Sequence, residues 1–256
     1  MKSIELLGAS GVGKTYLYQK LFEVCNERKY LSVKEACIKA ASGVQTSFGF
    51  NKQWFYKLLL NTNMVAKKKY GLSRKILLHQ DLDCTSSPNY LLSSALLNHF
   101  LATELNIEVV NKRKENFKRC VNLQAALRPV LTDKVLFDEG ALHHHHGLTR
   151  TVSLMHTPTE IKRDVVLNPN AVIFLELPFE KHLSRIIERK EKGIQTFSHA
   201  KLSGVALENY AKKSIAEYQE KIETLKTLGV PVLHVNAEKE VAENLKQINA
   251  FINNLN

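Results

Sequence analysis

From Gly8 to Thr15 the chain reads Gly-Ala-Ser-Gly-Val-Gly-Lys-Thr, matching the pattern GxxxxGK[ST] at every fixed position. Each fixed residue has a chemical reason. Glycines let the backbone curl closely round a phosphate and aim its N–H groups inward. The helix that follows sets its positive end at the same phosphates. Lys14 can neutralise β- and γ-phosphates, and the Thr15 hydroxyl can ligate Mg²⁺. The pattern carries this meaning only between a strand and a helix. Both are readable: Ile4-Glu5-Leu6-Leu7 is a short, mostly apolar run, and Leu17, Leu21, Val24 and Cys25 recur at helical spacing between Thr15 and Arg28. The octapeptide therefore predicts a βα unit whose turn holds a nucleoside triphosphate, with Gly8, Ser10, Gly11, Val12, Gly13, Lys14 and Thr15 as the cradle.

The remaining apolar runs extend this unit into a parallel sheet. Leu31-Ser32-Val33, Val135-Leu136-Phe137, Ala171 to Leu177 and Val230 to Val235 are strand-like and nearly continuous in apolar character. That is the pattern of strands covered on both faces. Helices are predicted over Trp54–Leu60, over Tyr90–Leu105, and as a basic helix carrying Lys112, Arg113, Lys114, Lys118 and Arg119 that Pro129 stops. Further helices are predicted from Phe179 to Lys192, along the stripe Leu207, Ala211, Ile215, Tyr218, Ile222 and Leu225, and along Val241 to Leu255. No internal repeat or low-complexity linker divides the chain, so residues 1–256 are expected to form one α/β domain. Its architecture would be a three-layer αβα sandwich on a five-stranded parallel sheet. Residues of about 44–128 would form a helical acceptor-binding region, and about 190–204, which include Gly193 and Gly204, a lid able to exclude water.

Asp138 and Glu139 follow the third strand at the carboxyl edge, the ligand side of such a sheet. Asp138 there can hold Mg²⁺, and either carboxylate can accept the proton of an attacking hydroxyl. After the strand ending at Leu177 and Pro178, His182, Arg185 and Arg189 fall at i, i+3 and i+7 on one helical stripe. The planar guanidinium fork suits phosphate oxygens. The run His143 to His146 lacks an ordered set of companion ligands and reads as a polar loop near the acceptor.

Lys+Arg exceed Asp+Glu by 36 to 25, a net charge of +11. Such a surplus favours anionic partners. Lys67-Lys68-Lys69, Arg74 and the 112–119 cluster read mainly as solvated faces, and Trp54, Phe55 and Tyr56 mainly as core. No apolar run is long enough to span a membrane. The motif starts too close to Met1 to leave room for a signal peptide, and Cys25, Cys37, Cys84 and Cys120 form no CxxC pair. Reduced thiols and a cytoplasmic protein are the expectation.

The order of these pieces resembles the thymidylate kinase and deoxynucleoside kinase branch of P-loop kinases. The resemblance rests on the loop Gly8–Thr15, the carboxylate Asp138, the strand–Pro–helix unit carrying Arg185 and Arg189, and the last strand Pro231-Val232-Leu233-His234-Val235-Asn236-Ala237 before a terminal helix. It implies ATP and Mg²⁺ as cofactors, adenine beside Asn236 and Ala237, and phosphoryl transfer to a small acceptor, anionic or ring-containing: a nucleoside, nucleotide or sugar-like metabolite. The departure is Asp138-Glu139-Gly140, where that family has an acid followed by arginine. Two rivals stand: a nucleic-acid-directed kinase or ATPase, suggested by the charge, and a hydrolytic switch binding a protein partner, suggested by the paired acids. Neither aromatic–basic interleaving for strands nor the Asn-Lys-x-Asp guanine tetrapeptide occurs; Asn51-Lys52 runs into Gln53-Trp54. A homodimer is left open.

Overall fold

The computed structural model describes residues 1–25, 27–43, 58, 66–78, 107–145, 148–149, 169–194 and 199–255. Five strands form its sheet: β1 (Lys2–Leu7), β2 (Leu31–Ser32), β3 (Lys134–Phe137), β4 (Ala171–Glu176) and β5 (Val232–Asn236). Their order is β2-β3-β1-β4-β5, and every pairing is parallel. Eight helices accompany them among the described residues: α1 (Lys14–Val24), α2 (Val33–Gly43), α3 (Ala66–Leu78), α4 (Ile107–Leu127), α5 (Ala141–His144), α6 (Phe179–Glu191), α7 (Gly204–Thr227) and α8 (Val241–Asn254).

Strand alternation sorts side chains to two sides. Ile4 and Leu6 of β1, Leu136 of β3, Ile173 and Leu175 of β4 and Val235 of β5 pack with Leu17 and Leu21 of α1 and Ile248 of α8. On the opposite face two clusters lie side by side. Val135 and Phe137 pack under α2, α3 and α4, while Leu7, Val172 and Phe174 pack under Tyr218, Ile222 and Leu225 of α7. The result is helix, sheet, helix: the three layers and five parallel strands expected from the apolar runs. β1 is central, with β3 on one side and β4 on the other, so the chain changes direction of winding there, the place where such sheets open a crevice.

β1 and β3 begin earlier than expected, at Lys2 and Lys134, and β4 ends at Glu176 rather than Leu177; three further boundaries differ. α1 stops at Val24 because Cys25 leaves for extended backbone (φ −82°, ψ 95°), and Val24 is 60% exposed rather than part of the apolar stripe. β2 is shorter by one residue because Val33 opens α2. The reason is a capping box. The Ser32 hydroxyl accepts from the Glu35 N–H at 3.1 Å while the Glu35 carboxylate accepts from the Ser32 N–H at 2.8 Å, and Arg28 grips the same carboxylate at 2.7 Å. β5 begins at Val232, after a turn through Gly229 (φ 77°). The predicted helices over Trp54–Leu60 and Tyr90–Leu105 lie outside the described residues, Leu58 apart. Of the helical region and the lid, Ala66–Leu78, Ile107–Leu127, Lys190–Ile194 and His199–Gly204 are described. The basic helix, α4, exposes Lys112, Lys118 and Arg119 to solvent, leaves Arg113 and Lys114 half-buried, and turns Phe117, Val121 and Leu127 inward. Among the described residues, no helix is long and apolar enough to cross a membrane.

Candidate functional site

β1 delivers the chain to a loop, Gly8–Gly13, that enters α1 at Lys14. Three of its glycines have positive φ: Gly8 144°, Gly11 95° and Gly13 108°. Gly8 has a second constraint. A Cβ there would lie 2.6 Å from the Leu175 carbonyl oxygen of β4, so the loop presses on the neighbouring strand where only glycine fits.

Lys14 folds back into this loop. Its ammonium donates to the carbonyls of Gly8 at 2.7 Å and Ala9 at 3.2 Å, and the residue is only 6% exposed. Burial pushes its pKa down to about 8, against the opposing pull of Asp138 and Glu139. Opposite the loop, Asp138 stands at the end of β3. The Thr15 side chain hydrogen-bonds to its carboxylate, while burial, the larger influence, raises its pKa. The Asp138 Oδ1 atom is buried without a hydrogen-bond partner. A carboxylate oxygen in that state is uncommon in a folded protein, and it belongs to the carboxylate that the Thr15 side chain bonds. No three His, Cys, Asp or Glu side chains converge as a metal cage among the described residues. Mg²⁺ of the type expected here needs none, since water and substrate phosphates supply most of its ligands. Thr15 and Asp138 fit such an ion.

The Glu139 side chain is 54% exposed and lies by two histidines: its oxygens are 3.9 Å from His143 Nε2 and 4.0 Å from His144 Nε2. His143 in turn pairs through Nδ1 with the Tyr218 hydroxyl at 3.0 Å. His145 is buried against Phe117, and His146 lies outside the described residues. The histidine run therefore anchors the segment after β3 to α7 and α4.

The stripe on α6 does meet the loop, though mainly through backbone. His182 Nε2 is 2.8 Å from the Ser10 carbonyl; Arg185 donates to the Val12 carbonyl at 2.9 Å and the Ala237 carbonyl at 3.3 Å; Arg189 donates to the Ile194 carbonyl at 3.3 Å. Arg185 thus ties the loop to the segment after β5, bringing Ala237 to the site. Asn236 uses its side-chain oxygen locally, accepting from the Glu238 N–H at 2.8 Å. A cavity of about 50 Å³ lies behind the loop, lined by Ala9, Val12, Leu175, Leu177, His182 and Tyr218 among others. It has room for a few waters.

One participant escaped the sequence reading. Glu5, inside β1, is 1% exposed. Its carboxylate accepts from Gln124 Nε2 at 2.8 Å and from the Leu142 N–H at 3.0 Å. The available signal was a charge within a run otherwise suited to a buried strand. Burial raises its pKa from 4.5 to about 7. The folded protein therefore retains a proton that the unfolded chain releases between those values. Stability from this group is fully present below pH 4.5 and is lost as pH rises through 7. The unfolding free energy of wild type relative to Glu5→Gln is expected to fall between pH 5 and 8 in urea titrations; a flat difference would contradict a raised Glu5.

No family model matches this sequence, and no curated protein is significantly similar to it.

Proposed function

We propose that this chain is a cytoplasmic P-loop phosphotransferase that moves the γ-phosphate of ATP to a small-molecule acceptor. The observation that carries this reading is the meeting of Lys14, Thr15 and Asp138. A buried ammonium in a loop of positive-φ glycines lies close to a hydroxyl–carboxylate pair with one carboxylate oxygen unmatched. Switching strands at β1 supports it, because the loop, Asp138 and Ala237 all fall at carboxyl ends of parallel strands.

In this reading the loop amides and Lys14 hold the β- and γ-phosphates, and Lys14 exchanges the Gly8 and Ala9 carbonyls for phosphate oxygens. Thr15 and Asp138 hold Mg²⁺, which when bound neutralises charge on the phosphates. The acceptor hydroxyl is oriented beside the acid pair. Glu139, the more exposed of the two, is the better placed to take its proton, and Asp138 the better placed to hold the ion. Arg185 fixes the loop against the segment after β5, where the adenine would lie, and Arg189 stands near Gly11 at the root of the lid. Positioning and electrostatics of this kind supply most of the catalysis in phosphoryl transfer.

Transfer of label from γ-labelled ATP, assayed against pooled nucleosides, nucleotides and sugars, tests the proposal and names the acceptor class together. Labelled product in one pool is the expected result. Free phosphate alone would instead favour hydrolysis, the second reading, which the exposed Glu139 next to Asp138 keeps alive. Asp138→Asn is expected to lower transfer by about 10²-fold or more, and to raise the Mg²⁺ concentration needed for half-maximal rate. Unchanged Mg²⁺ dependence would remove Asp138 from the metal role.

A further inference from the structure

Two things fix the short turn that carries the acid pair. Phe137, the last residue of β3, pairs with Glu5 across the sheet. After it come only Asp138, Glu139 and Gly140 before the chain meets Glu5 again, through side chain this time: the Leu142 N–H donates to the Glu5 carboxylate at 3.0 Å, joined by a hydrogen bond from the Ala141 backbone. Gly140 is pressed onto the same carboxylate so closely that a Cβ would sit 2.2 Å from its carboxyl carbon. The far side of the turn is held too. Lys221 of α7, 2% exposed, donates to the Leu142 carbonyl at 2.8 Å. Leu142 is therefore gripped by its N–H from β1 and by its C=O from α7.

A carboxylate at this place is not explained by packing. Glu5 points to the sheet face where Val135 and Phe137 form one apolar cluster and Leu7, Val172 and Phe174 another. Burying a charge there costs free energy that an apolar residue of similar size would not. The donors gathered round it, Gln124 and the two turn amides, with the buried Lys221 ammonium as its opposite charge, make it a fixed acceptor at the seam between the clusters.

We propose that Glu5 is a positioning residue for the metal–nucleotide site: clamped with Lys221 on either side of Leu142, it sets the turn that presents Asp138 to Thr15. This rests on the reading of the loop as an ATP site. One strand then aligns both halves of the site, since β1 runs from Glu5 through Leu7 directly into Gly8. Loss of the clamp frees Asp138 while the hydrogen bonds of Lys14 to the Gly8 and Ala9 carbonyls stay in place, so the Mg²⁺-dependent part of nucleotide affinity falls more than the metal-free part. Residues that orient metal ligands in this way typically change metal affinity about 10- to 100-fold.

The test is calorimetric binding of ATP to the full chain with saturating Mg²⁺ and with chelator, in wild type and Glu5→Gln, with thermal melting of each. Glu5→Gln keeps the shape but replaces one acceptor oxygen with a donor. Its metal-free affinity is expected to stay within about 2-fold, while the gain on adding Mg²⁺ shrinks about 10-fold. A folded Glu5→Gln with the full wild-type gain would overturn the proposal. Should Glu5→Gln fail to fold, Lys221→Met, which releases the other side of Leu142, is expected to lose the same gain, and retention of it would count equally against the clamp. Hydrogen exchange on wild type needs no variant: the Ala141 and Leu142 amides are expected to exchange as slowly as those of β1, and fast exchange would contradict the clamp. Absence of any ATP binding by wild type defeats the nucleotide reading itself, whereas binding that Glu5→Gln leaves unaltered defeats only the role of Glu5.

Discussion

Lys14→Ala is expected to lower phosphoryl transfer by orders of magnitude while leaving the fold in place. The lysine is buried, hydrogen-bonded to the carbonyls of Gly8 and Ala9 and attracted by Asp138 and Glu139, and burial pushes its pKa down to about 8. Removing it withdraws two hydrogen bonds from a charged donor, each with a net value of about 1.5–3 kcal/mol. It also removes the cost of keeping a charge out of water. These offset one another, so the melting temperature without ligand should move by only a few degrees. The loss with ATP is one-sided, because nothing replaces the ammonium beside the β- and γ-phosphates. A drop of about 10²- to 10³-fold in transfer rate, with weaker nucleotide binding, is the expected magnitude for losing one preorganised charge in such a site. Lys14→Met, which keeps the packing of the stem, should behave alike. Initial rates with labelled ATP beside melting curves measure both; a folded, fully active variant would contradict the role given to Lys14.

Gly8→Ala should damage both stability and binding. At φ 144° an L side chain is strained by about 1–3 kcal/mol. The added Cβ also meets the Leu175 oxygen at 2.6 Å and Val12 Cγ1 at 3.0 Å. Leu175 belongs to β4, paired on both sides within the sheet, so its carbonyl cannot retreat as a flexible side chain would. The combined cost is expected at about 3 kcal/mol, near 10 °C in melting temperature for a chain of this size. Gly229→Ala is the matched control. Its φ is 77° but a Cβ there meets nothing within 4 Å, so only the conformational cost of about 1 kcal/mol remains. Equal losses at the two positions would show that contact with β4 does not constrain the loop.

Much of this architecture could be read from residue types alone. Buried parallel strands are near-continuous apolar runs, and β1, β3 and β4 were visible for that reason. The acid pair after Phe137 fell at the ligand edge because a parallel sheet puts every strand's end there. Elements defined by tertiary partners were harder. The spacing of His182, Arg185 and Arg189 identified a stripe, but its targets are main-chain carbonyls of Ser10, Val12, Ala237 and Ile194, which have no signature in a sequence. Glu5 was hidden for the same reason: its partners Gln124 and Leu142 lie 119 and 137 residues away. The end of β2 is legible in the sequence, since Ser32 and Glu35 are spaced as a capping box.

The central claim is that the Gly8–Thr15 loop holds a triphosphate with Mg²⁺ between Thr15 and Asp138. A crystal structure of the chain grown with a non-hydrolysable ATP analogue and MgCl₂ tests it most directly. The expected density has the β- and γ-phosphates inside the loop, Lys14 turned from the Gly8 carbonyl onto phosphate oxygens, and the ion beside the unmatched oxygen of Asp138. A loop left empty at saturating analogue, or a nucleotide seated elsewhere on the protein, would contradict the account.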